Sequence, residues 1–289
     1  MKIARYNASP ANRIYIIDAL VEGELKTGLS KFERVRDEVL MKMPDQSRYL
    51  DEQIFHRKCM SATHFLRIFD EIEGVGDEKT FPLIFIDGHG DKQRGFQLPS
   101  GDYVEWGSFN SRLTRITLAA HGNLTVIASF CNSMSSVENL GIKKPPPSPF
   151  FYGYDDVVKA GEVEIEGYAI IESLVRGQRF YETGKKLKLY SEYDHALQLL
   201  RPLIALSSGN NSALRLYPEL SKGNLRKVIQ NYIGERAGKT SGVSRVTSDF
   251  FKNHAWVRPI SEMVTYKTER RERLIADVIS LLTESGTSA

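Results

Sequence analysis

Two reactive side chains follow apolar runs near the middle of the chain. His89 comes after the run 83–86 with a glycine on either side, and Cys131 follows directly on the run 124–130. A cysteine thiolate is a strong nucleophile, and a nearby imidazole both favours the thiolate and can protonate a leaving amine. We therefore predict that Cys131 and His89 form a nucleophilic dyad.

The two runs have the composition of buried strands, and a turn-rich segment with a helix-length pattern separates them. In an open parallel sheet the carboxyl ends of the strands meet at one edge, where α/β folds build their sites. Both side chains are therefore expected at the same edge. The glycines beside His89 let a substrate approach the backbone closely. The N–H groups of Gly90 and Cys131 are candidate donors to an oxyanion.

A structural interpretation of the same residues stays open. A cysteine at the end of a buried strand is commonly a small apolar core residue, and a His followed by a distant Cys also arises by chance. Asp18 lies near the end of the first apolar run, 13–20. It is either a site residue or, as we favour, a carboxylate that caps a turn.

Strand and helix patterns alternate along the chain up to Leu203. Strand-like apolar runs occur at 13–20, 82–87, 124–130 and 149–154. Amphipathic helices are predicted between them, and the Ser-, Gly- and Pro-rich segment 132–149 is predicted to be an irregular, exposed loop. This alternation indicates an α/β fold with a mostly parallel sheet and helices on both faces, a three-layer αβα arrangement.

The alternating pattern weakens beyond Leu203, where helices are predicted at 225–234, 248–253 and 270–282. We therefore divide the chain into a main domain, 1–203, and a helical, basic extension or subdomain, 204–289, packed on the core. From Arg176 onward there are 19 Lys and Arg residues against 11 Asp and Glu. Such a charge balance suits an acidic partner or nucleic acid. Because no nucleic-acid-binding motif accompanies it, a solvated basic face is the preferred interpretation.

The composition is that of an ordinary globular protein, with 41% hydrophobic and 26% charged residues among 289. Cys59 and Cys131 lie far apart, which suits neither a disulfide framework nor a zinc site and points to a reducing compartment. The first apolar run reaches Asp18 too soon to be a signal peptide, and no apolar stretch is long enough to span a membrane. We expect a cytoplasmic protein with no membrane partner, metal or cofactor.

The sequence resembles the caspase-like cysteine peptidases, and among them the bacterial CHAT-type members, over about residues 13–200. An apolar strand runs into His-Gly (LIFIDGHGD) and a later one runs into Cys (LTVIASFCNS). The segments FQLPSGDYVEWGSFNSRL and PFFYGYDDVV also look like elements of those members. The resemblance implies a caspase-like peptidase domain over 1–203 that hydrolyses peptide bonds through a Cys131 thioester. It further implies His89 as acid and base, and the Gly90 and Cys131 amides as the oxyanion hole.

This sequence departs from the family pattern around the cysteine. Phe130 stands where the family often has a small residue, Asn132 stands where Gly is common, and the caspase pentapeptide is absent, so aspartate specificity is not implied. Family members that cleave after Arg or Lys line the first pocket with carboxylates, because a buried cation needs a partner. Asp155 and Asp156 are candidates for that role or for capping the next helix. Asp87 is a further candidate, either for the pocket or for orienting the His loop.

The resemblance also implies a biological setting. It suggests a protein or peptide substrate and a regulated effector in bacterial defence or cell death. A sensor or regulatory partner would then dock on the basic C-terminal region. A catalytically inactive member of the same fold, kept as a scaffold or partner-binding module, is the alternative. A nucleic-acid-binding protein that uses the basic region is a more distant third hypothesis.

Overall fold

The computed structural model describes residues 11–42, 50–138, 140, 145–175, 186–207, 254 and 256–286. The chain divides into two compact units, Lys2–Glu192 and Tyr193–Ala289. The boundary predicted at Leu203 stays a prediction. The helices predicted at 225–234 and 248–253 lie outside the described residues.

The first unit is built on strands and helices that alternate along the chain. The strands are β1 Arg13–Asp18, β2 Ile54–Lys58, β3 Pro82–Asp87, β4 His89–Asp91, β5 Gly95–Gln97, β6 Tyr103–Val104, β7 Thr125–Ser129, β8 Phe150–Gly153 and β9 Lys188–Ser191. The helices of both units are α1 Thr27–Lys42, α2 Leu50–Gln53, α3 Ala62–Gly74, α4 Trp106–Ala119, α5 Ser135–Glu138, α6 Ala160–Val175, α7 Glu192–Ser207, α8 Val257–Val264 and α9 Thr268–Gly286.

Six strands form one sheet in the order β2-β1-β3-β7-β8-β9. All neighbouring pairs in it are parallel except β8 and β9, which are antiparallel. Every residue of β3 and of β7 is buried, as expected for strands covered on both faces. The predicted α/β fold with a mostly parallel sheet is therefore confirmed.

Alternate residues of the central strands belong to two separate apolar cores. Tyr15, Ile17, Ile84 and Ile86 pack with phenylalanines of α3 and α4 on one face. Ile16, Leu83 and Phe85 pack on the other face with apolar residues of α1 and α6. Since successive side chains of a strand point to opposite faces, these two cores make the three layers.

The short strands β4, β5 and β6 form a separate antiparallel sheet. The hairpin predicted over 95–106 is present as β5 and β6, and Gly101 occupies its turn with φ +87°. The strand β4, which begins at His89 itself, was not predicted. His89 therefore belongs to a paired strand rather than to a free loop.

The prediction of an irregular, exposed loop at 132–149 is wrong for much of the part of this segment that the structure describes. Residues 133–137 are buried, partly in the helix α5, and so are residues 146–149. A polar segment can be buried there because the hydroxyls of Ser133, Ser136 and Ser148 find backbone partners. Ser133 Oγ donates to the carbonyl of Ala128 at 3.0 Å and accepts the N–H of Tyr154 at 2.8 Å.

In the second unit α8 and α9 pack against each other, and Trp256, Val264 and Leu274 are buried. The guanidinium of Arg258 donates to both carboxylate oxygens of Glu272, at 2.6 and 2.8 Å. Among the residues described, no helix is long and apolar enough to cross a membrane.

Candidate active site

His89 and Cys131 occupy equivalent positions after two neighbouring strands. The last aligned pair of β3 and β7 is Asp87 with Ser129, and each reactive residue follows its strand end by two positions. The expectation that both residues lie at one edge of the sheet is met.

Both residues line the same pocket, which we call the dyad pocket. Its volume is about 270 Å³. It is lined by Leu20, Glu24, Leu25, Thr27, Gly88, His89, Ser129, Phe130, Cys131, Val158, Ala160 and Val163. The pocket thus combines the ends of β3 and β7 with the loops that follow β1 and β8.

A carboxylate in the loop after β1 holds the His89 ring. Nε2 of His89 lies 2.7 Å from Oε1 of Glu24, and Oε2 of Glu24 accepts the backbone N–H of Val21 at 2.8 Å. Gly23, with φ +98°, allows the tight turn that brings the carboxylate back onto its own loop. If Nε2 donates to Glu24, then Nδ1 is the ring nitrogen that can accept a proton.

Glu24 was missed by the sequence reasoning. Its position becomes a signal only once the strand order is known, because Glu24 lies after β1, and β1 is the neighbour of β3 in the sheet. Side chains that follow adjacent parallel strands share an edge, so a carboxylate in that loop was a candidate partner for His89.

The Cys131 sulfur is held against the backbone of Val158, between β8 and α6. The Val158 N–H donates to Sγ at 3.4 Å, and Sγ lies 3.7 Å from the Val158 carbonyl oxygen. A thiol can use both contacts, whereas a thiolate gains only from the N–H. Among the described residues, the sulfur and the His89 ring are each hydrogen-bonded to these other partners and not to one another.

The chain turns sharply after Cys131. Asn132 has φ +56°, a left-handed conformation that asparagine tolerates better than most residues. Its N–H donates to the carbonyl of Asp156 at 3.2 Å, and the N–H of Met134 donates to the carbonyl of Tyr154 at 3.1 Å. Asn132, which departs from the family pattern, therefore has a defined role in tying the cysteine loop to the segment after β8.

Phe130, the bulky residue before the cysteine, belongs to an aromatic cluster. Only 1% of its surface is exposed, and its ring lies 4.9 Å from that of Phe96 and stacks at 6.2 Å on that of Trp106. Its size therefore serves packing of the core beneath the site.

Gly90 packs directly on the cysteine loop. A Cβ at residue 90 would lie 2.2 Å from the carbonyl oxygen of Cys131 and 2.6 Å from Cδ2 of Phe130. The Cys131 N–H, one of the two predicted oxyanion donors, meets no acceptor among the residues described. Gly90, the other, pairs with Phe96 in the small sheet. The oxyanion role of both amides stays a prediction.

The three carboxylates predicted for substrate binding do not line the dyad pocket. Asp87 is fully buried, forms an ion pair with the buried Lys31, and accepts the Thr27 hydroxyl at 2.9 Å. Asp155 forms an ion pair with Lys188. Asp156 is exposed, with its backbone carbonyl bound to the cysteine loop. Their role in substrate binding stays a prediction.

Asp18 ends β1 beside Asp87 and is also buried. Burial by itself would raise the pKa of Asp18. Hydrogen bonds from His56, Lys58 and the Leu20 N–H outweigh that effect and lower the pKa to about 2. The contact with Leu20, at 3.1 Å, is the turn cap expected from the sequence.

A second pocket, of about 300 Å³, lies on the other side of the His89–Glu24 pair. Both residues line it together with Val21, Leu98 and Pro99, whereas Cys131 does not. His89 thus stands between a pocket that contains the nucleophile and one that does not.

Compared with the known protein families and with curated protein sequences, the chain matches none of them. In the part of the chain that the structure describes, no three His, Cys, Asp or Glu side chains are grouped so that they could hold a metal ion.

Proposed function

We propose that this protein is a cysteine endopeptidase, with Cys131 as the nucleophile and His89 as the acid and base. The observation that carries the proposal is that the two residues, at equivalent positions after adjacent parallel strands, line one pocket. A nucleophile and a base on a shared pocket are the first requirement for acyl transfer.

The reaction has two halves. The Cys131 sulfur attacks the carbonyl carbon of the peptide bond, and His89 takes the thiol proton. The C–N bond breaks, His89 gives that proton to the leaving amine, and the acyl group stays on sulfur as a thioester. Water then attacks the thioester, one of its protons returns through His89 to sulfur, and a carboxylic acid leaves. The sum is one water added across one peptide bond.

Glu24 is the third member of the proposed machinery, as a positioning residue. Its carboxylate bridges the Val21 N–H and the His89 ring, so the ring is oriented by a group that is itself anchored. The same carboxylate remains within hydrogen-bond distance of the ring after His89 has taken the thiol proton. The Cys131 N–H is the proposed oxyanion donor on the nucleophile side.

The resemblance to CHAT-type peptidases also suggests a cellular role for this activity. We propose a cytoplasmic effector in bacterial defence or cell death, whose substrate is a protein or peptide and whose activity is controlled by a sensor or regulatory partner. The excess of basic residues after Arg176 supports a docking surface for such a partner.

One observation bears on the alternative of an inactive scaffold. Sγ of Cys131 bonds the Val158 backbone and the His89 ring bonds Glu24, rather than each other. Catalytic hydrogen bonds are often long or misaligned without substrate and tighten only in its complex, so this geometry is compatible with both readings.

A peptidyl probe with a thiol-reactive group separates the two. We expect it to label Cys131, and we expect Cys131→Ala and His89→Ala each to abolish cleavage of a peptide library. His121→Asn is the matched control, because His121 is exposed, lies outside the dyad pocket and has φ +49°, which asparagine accepts. Equal inertness of wild type and all variants, with candidate partners added, would mean a scaffold.

A further inference from the structure

The wall of the dyad pocket is mainly aliphatic. Leu20 and Leu25 belong to the loop after β1. Val158, Ala160 and Val163 belong to the segment after β8 and to the first turn of α6. The two groups therefore come from opposite sides of the cleft in which Cys131 lies. Leu25 is 66% exposed, so its side chain is open to a substrate in the described part of the pocket.

Two polar side chains of the same wall, Glu24 and Thr27, already have partners within the protein. Both oxygens of Glu24 have partners, the His89 ring and the Val21 N–H. The Thr27 hydroxyl donates to Asp87. In the described part of the wall a substrate cation would therefore find a single carboxylate, Glu24, which already has two partners, and an incompletely paired buried charge is costly.

The described part of the wall also lacks a cation that is free to pair with an anionic substrate side chain. Among the described residues the wall contains no Lys or Arg, and His89, which the reaction itself needs, is the one basic group of this part of the wall. The two carboxylates beyond β8 do not reach the wall, and one of them is neutralised by Lys188. In the described part of the wall, a substrate of either charge therefore meets no charged group that is not already paired.

We propose that the dyad pocket binds the aliphatic side chain of the residue whose carbonyl Cys131 attacks. The substrate is then a peptide with Leu, Ile, Val or Met at that position; this rests on the proposed peptidase function. The volume of about 270 Å³ lies just below the ~300–1,000 Å³ of pockets that take drug-sized ligands, which suits a single side chain.

The first test compares peptidyl probes that differ only in this residue. Leu, Lys, Arg and Asp probes with the same thiol-reactive group are reacted with the full chain, and labelling at Cys131 is followed by peptide mass mapping. We expect the Leu probe to react roughly tenfold or more faster than the charged ones, since apolar pockets discriminate by about this much.

Three outcomes are distinguishable. Fastest labelling by the Leu probe supports the inference. Fastest labelling of Cys131 by a charged probe overturns it and leaves the peptidase proposal standing. If no peptidyl probe labels Cys131 faster than a small alkylating agent does, and no peptide is cleaved, the peptidase proposal is wrong. The inference about the pocket is then wrong as well.

The second test changes the wall. Leu25→Asp places a carboxylate in the pocket at an exposed position, where it should not disturb folding. We expect the ratio of Leu to Lys labelling to fall by roughly tenfold, because the cation gains a partner. Ile165→Asp is the matched control, since Ile165 is 71% exposed, lies on α6 and is not part of the wall. An unchanged ratio in Leu25→Asp would contradict the assignment.

The acidic pair after β8 provides the opposite control. Asp155→Asn and Asp156→Asn should leave the ratio of Leu to Lys labelling unchanged. If either variant lowers labelling by the Lys probe selectively, the specificity belongs to these carboxylates and the aliphatic assignment is wrong.

Discussion

Gly90 and Cys131 touch through their backbones: a Cβ on residue 90 would stand 2.2 Å from the carbonyl oxygen of Cys131. The backbone next to His89 therefore packs directly on the loop that carries Cys131. Only a residue without a side chain allows this approach, so the glycine after the histidine has a structural reason as well as a chemical one.

Gly90→Ala should therefore separate the two loops. We expect loss of cleavage and a decrease of about 1–3 kcal/mol in the free energy of unfolding, the usual effect of overpacking. Urea unfolding and a peptidase assay measure the two effects. Gly107→Ala in α4, where a Cβ would meet nothing within 4 Å, is the control and should be neutral or stabilising. Full activity in Gly90→Ala would contradict the contact.

The two cysteines should differ sharply in reactivity. Cys59 is completely buried, and burial raises the pKa of its thiol to about 12. Cys131 lines the dyad pocket. We expect iodoacetamide to alkylate Cys131 but not Cys59 in the native protein at neutral pH, and both after unfolding in guanidinium. Mass mapping of the alkylated peptides reads this out, and comparable native rates at both sites would refute the prediction.

Glu24→Gln should lower kcat while KM changes little. A glutamine has one oxygen, so it cannot accept from both Val21 and His89 as the carboxylate does. We expect a roughly tenfold to hundredfold loss, less than the ~10²–10⁴-fold that general acid–base catalysis contributes as a whole. Glu22→Gln, an exposed neighbour outside the pocket, is the control. A rise in KM at constant kcat would point to substrate binding rather than to positioning of His89.

Lys31 and Asp87 should act as a stability pair. Lys31→Met leaves the Asp87 carboxylate buried and unpaired, which we expect to lower the free energy of unfolding by about 3–5 kcal/mol. The double variant Lys31→Met/Asp87→Asn should recover much of that loss, as a urea double-mutant cycle would show. If Asp87→Asn instead alters probe selectivity at unchanged stability, Asp87 belongs to the substrate pocket after all.

Asp18 should make stability depend on acid pH. Its pKa is about 2 in the folded protein against an ordinary value of 3.8. A carboxyl whose pKa is lowered on folding stabilises the protein at pH values above the pKa that it has in the unfolded chain. That stabilisation is lost as the pH falls through the pKa that it has in the folded protein. Asp18→Asn should thus reduce the free energy of unfolding by about 2 kcal/mol at neutral pH.

The difference between Asp18→Asn and wild type should shrink between roughly pH 4 and pH 2. Urea titrations at a series of pH values measure it. Asp37 is exposed on α1, and the free energy of unfolding of Asp37→Asn should follow that of wild type at every pH. A constant difference between Asp18→Asn and wild type across the acid range would show that the lowered pKa is not the cause.

The parts of the site that could be predicted were those encoded locally. The runs before His89 and Cys131 are continuous and apolar, so burial on both faces of a parallel sheet followed, and with it the shared edge. The turn cap at Asp18 was equally local, since its partner is two residues away.

The parts that could not be predicted depend on contacts between distant residues. Glu24 meets His89 across 65 positions and Lys31 meets Asp87 across 56. No periodicity reports such pairs, because they exist only once β1 lies beside β3. The burial of 133–137 was missed for the same reason, since the hydroxyl partners of Ser133 lie in β7 and beyond β8.

The sequence by itself determined that there is a buried parallel sheet and that a histidine and a cysteine follow two of its strands. Hydrophobic patterning and strand geometry are sufficient for that, because they act along the chain. The tertiary structure decided what surrounds the pair. It supplied a carboxylate for the His89 ring and a backbone contact for Gly90, and it committed Asp87 and Asp155 to lysines, leaving an aliphatic wall beside Cys131. Which charges are neutralised and which surfaces stay open is settled only when distant segments pack together.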